Sequence, residues 1–180
     1  MNKVYYTDKE VRTWVHAIIR QMGDWRPDYV VGLTRGGLVP ANMISQYFDI
    51  RMEALKVSLR NLNETESNCW MAEDAFGYVP ADQRGESGTQ TDPAYRKNIL
   101  IVDDINDSGA TLNWIKRDWQ SSCLPDHAAW DRIWNNNVKF ATLVNNTASV
   151  FKNIDYYGTE INKFETPVWC VFPWEEWWAR

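Results

Sequence analysis

Three carboxylates follow one apolar segment in the middle of the sequence. The segment 98–102 leads into Asp103 and Asp104, and Asp107 follows three positions later. Paired carboxylates at such a point accept hydrogen bonds from sugar hydroxyls, or hold Mg²⁺ directly or through water. Because three carboxylates this close repel one another unless a cation or hydroxyl groups engage them, the spacing predicts a polar ligand site.

Small residues come directly after the third carboxylate, where a helical pattern begins. Ser108, Gly109, Ala110 and Thr111 combine small side chains with backbone amides at a predicted helix N-terminus. Such amides bind a phosphate dianion, because the first N–H groups of a helix lack internal partners. Carboxylates for hydroxyl groups or a metal ion, next to amides for a phosphate, together describe a receptor for a phosphorylated sugar.

The acidic turn has two other interpretations. An Asp-Asp pair after a strand is also typical of response-regulator receiver domains, where the pair lies near the N-terminus and a later strand ends in an acceptor Asp. Here the pair occupies positions 103 and 104 of 180, and no later predicted strand ends in a suitable Asp. A purely structural turn is disfavoured by the mutual repulsion of its carboxylates.

An α/β framework is predicted to position these residues. A capping box of Thr7 and Glu10 begins a helix whose apolar stripe extends to Met22. Strands are predicted at 29–33, 52–59, 98–102, 138–144, 154–157 and 168–172, and further helices at 38–48 and 111–120. This alternation predicts a mainly parallel sheet, which places ligands at the carboxyl ends of its strands. No internal repeat or interdomain linker is evident, so residues 1–180 are expected to form a single domain.

Composition narrows the class of protein. The chain has 180 residues, 44% of them hydrophobic, and a formal charge of −5. This acidic balance argues against nucleic acid or an anionic membrane as a general partner, because both need a basic surface. No apolar run reaches the roughly 18 residues of a membrane span, and no secretory segment is visible at the N-terminus. The cysteines suit neither a disulfide framework nor a zinc site, so a cytoplasmic location is expected.

Two further features of composition need an explanation. Eleven residues are Trp, which serve in core and interface packing or, alternatively, as a platform for a flat ligand. The segment 61–97 carries seven acidic against three basic residues and shows little periodicity. A loop of this length inside a compact domain is usually a lid, a binding loop or disordered; an inert surface insertion is the alternative.

Three motifs resemble those of one enzyme family. Residues 102–111 resemble the phosphoribosyl-pyrophosphate (PRPP) loop of the type I phosphoribosyltransferases. Residues 33–40, Leu-Thr-Arg-Gly-Gly-Leu-Val-Pro, look like the pyrophosphate loop of the bacterial xanthine-guanine phosphoribosyltransferases, and residues 169–175 are similar to their base-binding segment. The acidic turn alone would identify only the superfamily, whereas three motifs in the same order make a specific match.

The resemblance implies a fold and a function. The fold would be the type I phosphoribosyltransferase fold, a twisted, mainly parallel sheet flanked by helices, with 61–97 as a hood insertion and 164–180 as the C-terminal base-binding segment. The enzyme would use Mg²⁺ and convert PRPP and a free 6-oxopurine (xanthine, guanine or hypoxanthine) to the nucleoside monophosphate and pyrophosphate in purine salvage. A homodimer or homotetramer is also implied. A PRPP-binding regulatory protein of the same fold, or an enzyme for adenine or a pyrimidine, is the alternative.

Each of the three matching motifs implies roles for particular residues of this chain. The resemblance implies that pyrophosphate binds at Thr34, Arg35, Gly36 and Gly37, with a cis peptide bond around Thr34–Arg35. It implies that the ribose and 5′-phosphate bind at Asp103, Asp104, Asp107, Ser108, Gly109, Ala110 and Thr111. Asp104, with Asp103 beside it, would hold Mg²⁺, and Asp107 matches the candidate general base. Trp169 would stack on the purine, and the backbone of Cys170 would contact its edge.

One position departs from the pattern of the 6-oxopurine enzymes. In that family a Lys after the next strand donates to the purine O6, and Asn146 occupies the matching position here. An Asn amide can donate to O6, but it can also accept from an amino group. The identity of the base is therefore less determined than the identity of the sugar phosphate.

Overall fold

Strands and helices alternate along the chain in a computed structural model that describes residues 2–59, 64–65, 69–86, 88–123 and 127–179. The strands are β1 (Asn2–Tyr5), β2 (Tyr29–Thr34), β3 (Met52–Ser58), β4 (Glu64–Thr65), β5 (Ile99–Asn106), β6 (Val138–Asn146), β7 (Tyr156–Ile161) and β8 (Val168–Val171). The α-helices are α1 (Asp8–Gln21), α2 (Leu38–Phe48), α3 (Cys69–Phe76), α4 (Ala110–Ser122) and the single turn α5 (His127–Trp130). Short 3₁₀ helices cover Ala81–Gln83, Pro93–Tyr95 and Trp177–Ala179.

Six strands form the main sheet in the order β4-β3-β2-β5-β6-β7. Every neighbouring pair is parallel except β3 with the short β4. Strand β2 lies directly beside β5, with Gly32 opposite Val102. The segments that follow these two strands therefore lie side by side at the carboxyl edge of the sheet, and the predicted mainly parallel α/β fold is confirmed.

Helices cover both faces of the sheet. Helices α1 and α2 contribute buried residues to one core cluster, and α3 and α4 contribute to the other. Strand β5 separates the two clusters, since Leu100 and Val102 belong to the first while Ile99 and Ile101 belong to the second. Its continuous apolar run is explained by burial on both sides, as is usual in a parallel sheet.

Helix α1 begins where the sequence predicts. The Thr7 hydroxyl accepts from the Glu10 amide at 3.2 Å, and the Glu10 carboxylate accepts from the Thr7 amide at 2.8 Å. Two amides that the helix itself leaves unsatisfied are thereby paired. The predicted stripe packs inward, with Val11, Val15 and Ile18 buried.

Part of the segment 61–97 belongs to the core, which differs from the expected loop. Helix α3 buries Met71, Ala72, Ala75 and Phe76 against one face of the sheet. The flanking Gly and Ser residues conceal this helical spacing in the sequence. Residues 60–63 and 66–68 lie outside the described residues, so the hood itself stays a prediction.

A second, two-stranded sheet carries the C-terminal motif. The strand predicted at 168–172 forms as β8, but it pairs in parallel with β1 rather than with the main sheet. The Tyr6 amide extends this pairing by donating to the Val171 carbonyl at 2.9 Å. Strand β1 was not predicted, because all four of its residues are exposed and show no apolar alternation.

Several tryptophans serve as core residues. Trp119, Trp130 and Trp134 are buried, and the rings of Trp130 and Trp134 stack at a centroid distance of 5.2 Å. Phe140 continues this stack at 5.8 Å from Trp134. Trp177 and Trp178 are exposed instead. Of the helices in the described ranges, none has the length and apolar character to cross a membrane.

Candidate active site

A cavity of about 820 Å³ lies where the β2 and β5 turns approach strand β8. Most of the predicted site residues share its wall. These are Thr34, Arg35, Gly36, Asp103, Asp104, Asp107, Ser108, Gly109, Ala110, Thr111 and Trp169. The three motifs of the sequence thus meet around one space, although they lie far apart along the chain.

The turn after β2 presents Arg35 beside the acidic turn. The Thr34–Arg35 peptide bond is cis, as the resemblance implies. A Cβ at Gly36 would overlap the Asp104 carboxylate, so glycine allows this close approach. The Gly37 amide stabilises the turn by donating to the Leu33 carbonyl at 2.9 Å. A guanidinium and closely approaching backbone suit a bound polyphosphate.

Asp103 and Asp104 end the buried part of β5 and are half-buried. The Asp103 carboxylate accepts from the Asp104 amide at 2.9 Å. Within the described ranges, no group of three or more His, Cys, Asp or Glu side chains is arranged to hold a metal ion. Two adjacent carboxylates nevertheless fit Mg²⁺, which takes one or two protein carboxylates and fills its shell with substrate phosphates and water.

The small-residue turn opens α4 at the cavity wall, where the Ala110 amide donates to the Ser108 hydroxyl at 3.3 Å. Gly109 is the N-cap, with φ at +86° and no side-chain cap. A side chain there would be strained and would also meet Phe151 and Ser149. The Ser108 carbonyl accepts from the Val150 amide at 3.1 Å, which ties the turn to the loop after β6.

A buried network under this turn was missed by the sequence analysis. Asn106 is 1% exposed, and its amide nitrogen donates to Asn145 and to the Phe151 carbonyl, both at 2.9 Å. Its side-chain oxygen accepts from the Ser149 hydroxyl at 2.8 Å. The network fixes the loop after β6 against the acidic turn. No local signal could reveal it, since the partners come together only in the folded sheet.

Asp107 forms an ion pair that the sequence analysis also missed. Lys163 lies in the turn between β7 and β8, and its Nζ is 2.8 Å from Asp107 Oδ1. The two side chains are 14% and 24% exposed, respectively. The residues are 56 positions apart, so only the tertiary fold brings them together.

The Asn146 side chain bonds to the main chain around the acidic turn. It is buried and is absent from the cavity wall. Its amide nitrogen donates to the Asp107 carbonyl at 2.9 Å, and its oxygen accepts from the Lys163 amide at 3.0 Å and from the Ala148 amide at 3.2 Å. The side chain therefore joins three loops of the protein, and its contact with the base stays a prediction.

Strand β8 brings the aromatic motif to the cavity. Trp169 lines the space and is 40% exposed. The Val171 carbonyl accepts from the Tyr6 amide, directly after β1. Because the backbone groups of successive residues in a strand point to opposite edges, those of Cys170 face the edge of β8 that β1 does not occupy. The Cys170 side chain is buried against the Tyr6 hydroxyl at 3.5 Å, and burial raises the pKa of its thiol. A thiol in this state is a poor nucleophile.

Residues after β8 complete the wall. Trp174 lines the cavity and stacks on Phe172 at a centroid distance of 5.1 Å. The Phe172 amide donates to the Glu175 carboxylate at 2.9 Å, which closes this turn. Trp178 also lines the cavity, although it is largely exposed.

Comparisons with known proteins agree with this arrangement. The family model described as the phosphoribosyl transferase domain matches residues 5–176. A xanthine-guanine phosphoribosyltransferase of Cereibacter sphaeroides is 32% identical over 153 residues, which cover 85% of this chain and 71% of that protein. The solved purine phosphoribosyltransferase from Pyrococcus horikoshii Ot3 is 25% identical, with a TM-score of 0.61 over 98% of this chain and 96% of that one.

A Helicobacter pylori xanthine-guanine-hypoxanthine phosphoribosyltransferase also shares the fold. Its TM-score is 0.61 at 18% identity, over 99% of this chain and 97% of that one. The family match covers nearly the whole chain, and it includes every residue that lines the cavity except Trp178. The protein therefore belongs to the phosphoribosyltransferase family.

Proposed function

We propose that this phosphoribosyltransferase joins a free 6-oxopurine to the ribose of PRPP, giving a nucleoside monophosphate and pyrophosphate. The observation that carries the proposal is the single cavity shared by Arg35, the acidic turn and Trp169. It offers groups for a pyrophosphate, a ribose phosphate and a flat ring in adjacent positions. The names of the similar proteins, which specify purine, xanthine and guanine, support the choice of base.

The pyrophosphate end of PRPP would lie at the β2 turn. Arg35 supplies a charged planar donor, and Gly36 allows phosphate oxygens to approach the backbone. The amides at Ser108–Thr111 would hold the 5′-phosphate, because the N-cap Gly109 has no side chain to occupy the first N–H donors of α4. When the pyrophosphate and the 5′-phosphate are both held, C1 of the ribose is positioned for attack by the base. Such positioning is a large part of this kind of catalysis.

Asp103 and Asp104 would hold Mg²⁺ together with PRPP. Their two carboxylates and their position next to Gly36 fit this ion. When bound, Mg²⁺ neutralises charge on the leaving pyrophosphate. The carboxylates themselves would accept hydrogen bonds from the ribose hydroxyls and so orient the sugar.

Asp107 and Trp169 would act on the base. The ring of Trp169 stacks on one face of the purine, and the Cys170 backbone contacts its edge. In the reaction, a ring nitrogen bonds to C1 while the C1–oxygen bond to pyrophosphate breaks. The base loses one ring proton, which Asp107 accepts before solvent removes it.

The test is pyrophosphate release from PRPP and Mg²⁺ with a panel of free bases: hypoxanthine, guanine, xanthine, adenine, uracil and orotate. We expect turnover with the 6-oxopurines. Turnover with adenine or a pyrimidine, and with none of the 6-oxopurines, would contradict the proposed substrate. Absence of release with every base would instead favour a PRPP-binding protein without catalysis, and PRPP affinity measured by calorimetry would identify it.

We also propose self-association as a homodimer or homotetramer. The support is the resemblance, together with large exposed aromatic side chains such as Tyr47 and Phe164, which are 60% and 86% exposed. Light scattering after size exclusion tests it, and a mass of 21.1 kDa at all concentrations would contradict it.

A further inference from the structure

The turn between β7 and β8 places a lysine against Asp107, although the lysine itself is not part of the cavity wall. Lys163 Nζ lies 2.8 Å from Asp107 Oδ1, and Asp107 lines the cavity. The Lys163 charge also acts on the Cys170 thiol, where it opposes the effect of burial on the pKa. The ammonium therefore adjoins the carboxylate that is proposed to act on the base.

The backbone of this lysine is fixed. Its amide donates to Asn146 Oδ1 at 3.0 Å, and Asn146 Nδ2 donates to the Asp107 carbonyl at 2.9 Å. Asn146 thus connects the main chains of the two residues that form the ion pair. The main chains of the two residues are thereby held together, which supports the placement of the ammonium beside Asp107.

Stability alone does not explain the pair. An ion pair between partly exposed side chains contributes little to folding, and burial adds a desolvation penalty for both charges. In the described part of the chain, the structure gives the ammonium the Asp107 carboxylate as its acceptor. An ammonium carries three N–H donors, so it has donors to spare for a ligand beside Asp107.

We propose that Lys163 determines the choice of base, by donating a hydrogen bond to a carbonyl oxygen of a purine bound beside Asp107. This inference rests on the proposed function. Because an ammonium donates and cannot accept, it stabilises a 6-oxo group and offers nothing to a 6-amino group. Lys163 would then supply the charge that is missing at position 146, from a different element of the fold.

Nucleotide binding tests the inference without requiring turnover. The affinities of inosine and adenosine monophosphate are measured by quenching of Trp fluorescence. The wild-type protein is expected to prefer the 6-oxo nucleotide by about 10- to 100-fold. Lys163→Met should abolish most of this preference by weakening inosine monophosphate alone. Lys152→Met is the matched control, because that lysine donates to the Thr147 carbonyl on an exposed loop.

Lys163→Gln provides a second variant if Lys163→Met does not fold, which thermal unfolding will reveal. An amide both donates and accepts, so this variant should bind both nucleotides with similar affinity. An unchanged preference in either folded variant, or a wild-type protein that favours adenosine monophosphate, would overturn the inference. Failure of the proposed function appears separately, as absence of pyrophosphate release by the wild-type protein with every base.

Discussion

Gly36 and Asp104 approach each other so closely that a methyl group on Gly36 would overlap the Asp104 carboxylate. Gly36 lies in the turn after β2, and Asp104 lies near the end of the neighbouring parallel strand β5. The proposed sites for pyrophosphate and for the ribose with its metal ion therefore adjoin each other. The neighbouring carboxylate alone already requires a glycine at this position.

Gly36→Ala should reduce kcat/KM for PRPP by about 10²-fold, because displacement of the Asp104 carboxylate misaligns the sugar phosphate. Steady-state kinetics with varied PRPP measure the effect. Gly85→Ala is the control, since a Cβ there meets no atom within 4 Å. Equal activity of the two variants would contradict the proposed place of Asp104.

Asp107→Asn should lower kcat by about 10²–10⁴-fold if the carboxylate accepts the proton of the base. The amide keeps the shape but cannot take up a proton at neutral pH. Single-turnover kinetics at saturating PRPP and base isolate the chemical step. A change below about threefold would remove Asp107 from the role of general base.

Trp169→Ala should weaken binding of the base by about 1–3 kcal/mol, the range for aromatic stacking on a nucleobase. Because Trp169 is 40% exposed, its removal should leave the free energy of unfolding nearly unchanged. Calorimetry with base and pyrophosphate provides the affinity. Trp177→Ala removes a 68% exposed Trp outside the cavity wall, and an equal loss there would exclude a specific stacking role.

Thr7→Ala should destabilise the protein by about 1 kcal/mol through loss of the α1 cap. Hydrogen bonds from the Thr7 hydroxyl and amide lower the pKa of Glu10. A lowered pKa contributes stability above the unfolded value, and this contribution disappears as pH falls through the folded value. Urea unfolding at several pH values measures both the loss of stability and its pH dependence. Thr13→Ala is the control, because Thr13 is exposed on the same helix, and it should reproduce neither effect.

Asp155→Asn should change how stability depends on pH. Burial raises the pKa of Asp155, although hydrogen bonds from the Phe140 amide and Asn135 oppose the shift. A raised pKa contributes stability in acid that is lost as pH rises from the ordinary value of 3.8 through the folded value. The free energy of unfolding of the variant should therefore improve, relative to wild type, as pH rises. A difference in free energy of unfolding between variant and wild type that stays constant over this pH range would refute the expectation. Asp131→Asn, at an exposed turn, is the control for the loss of one charge.

The elements that follow local rules were predictable from the sequence. The α1 cap, the buried strand before Asp103 and the small-residue start of α4 each have a signal within a few residues. The predicted cis bond at Thr34–Arg35 came from resemblance and is present.

Contacts made across the fold could not be predicted. Lys163 reaches Asp107 only because β7 and β8 return the chain to the end of β5. The hydrogen bonds of Asn146 to the main chains of Asp107 and Lys163 were also out of reach, because alignment gives a position along the chain but not the direction of a side chain. Strand β1 is fully exposed, so its pairing with β8 leaves no pattern in the sequence.

The pairing of β1 with β8 has a consequence for the order of folding. Tyr6 and Cys170 are separated by 164 positions, whereas the groups proposed to bind the ribose 5-phosphate lie between 103 and 111 on one strand and helix. Closing the longer loop costs more chain entropy and delays its contacts. The sugar-phosphate half of the site should therefore assemble before the aromatic half, and mild denaturant should release the base segment while PRPP still binds.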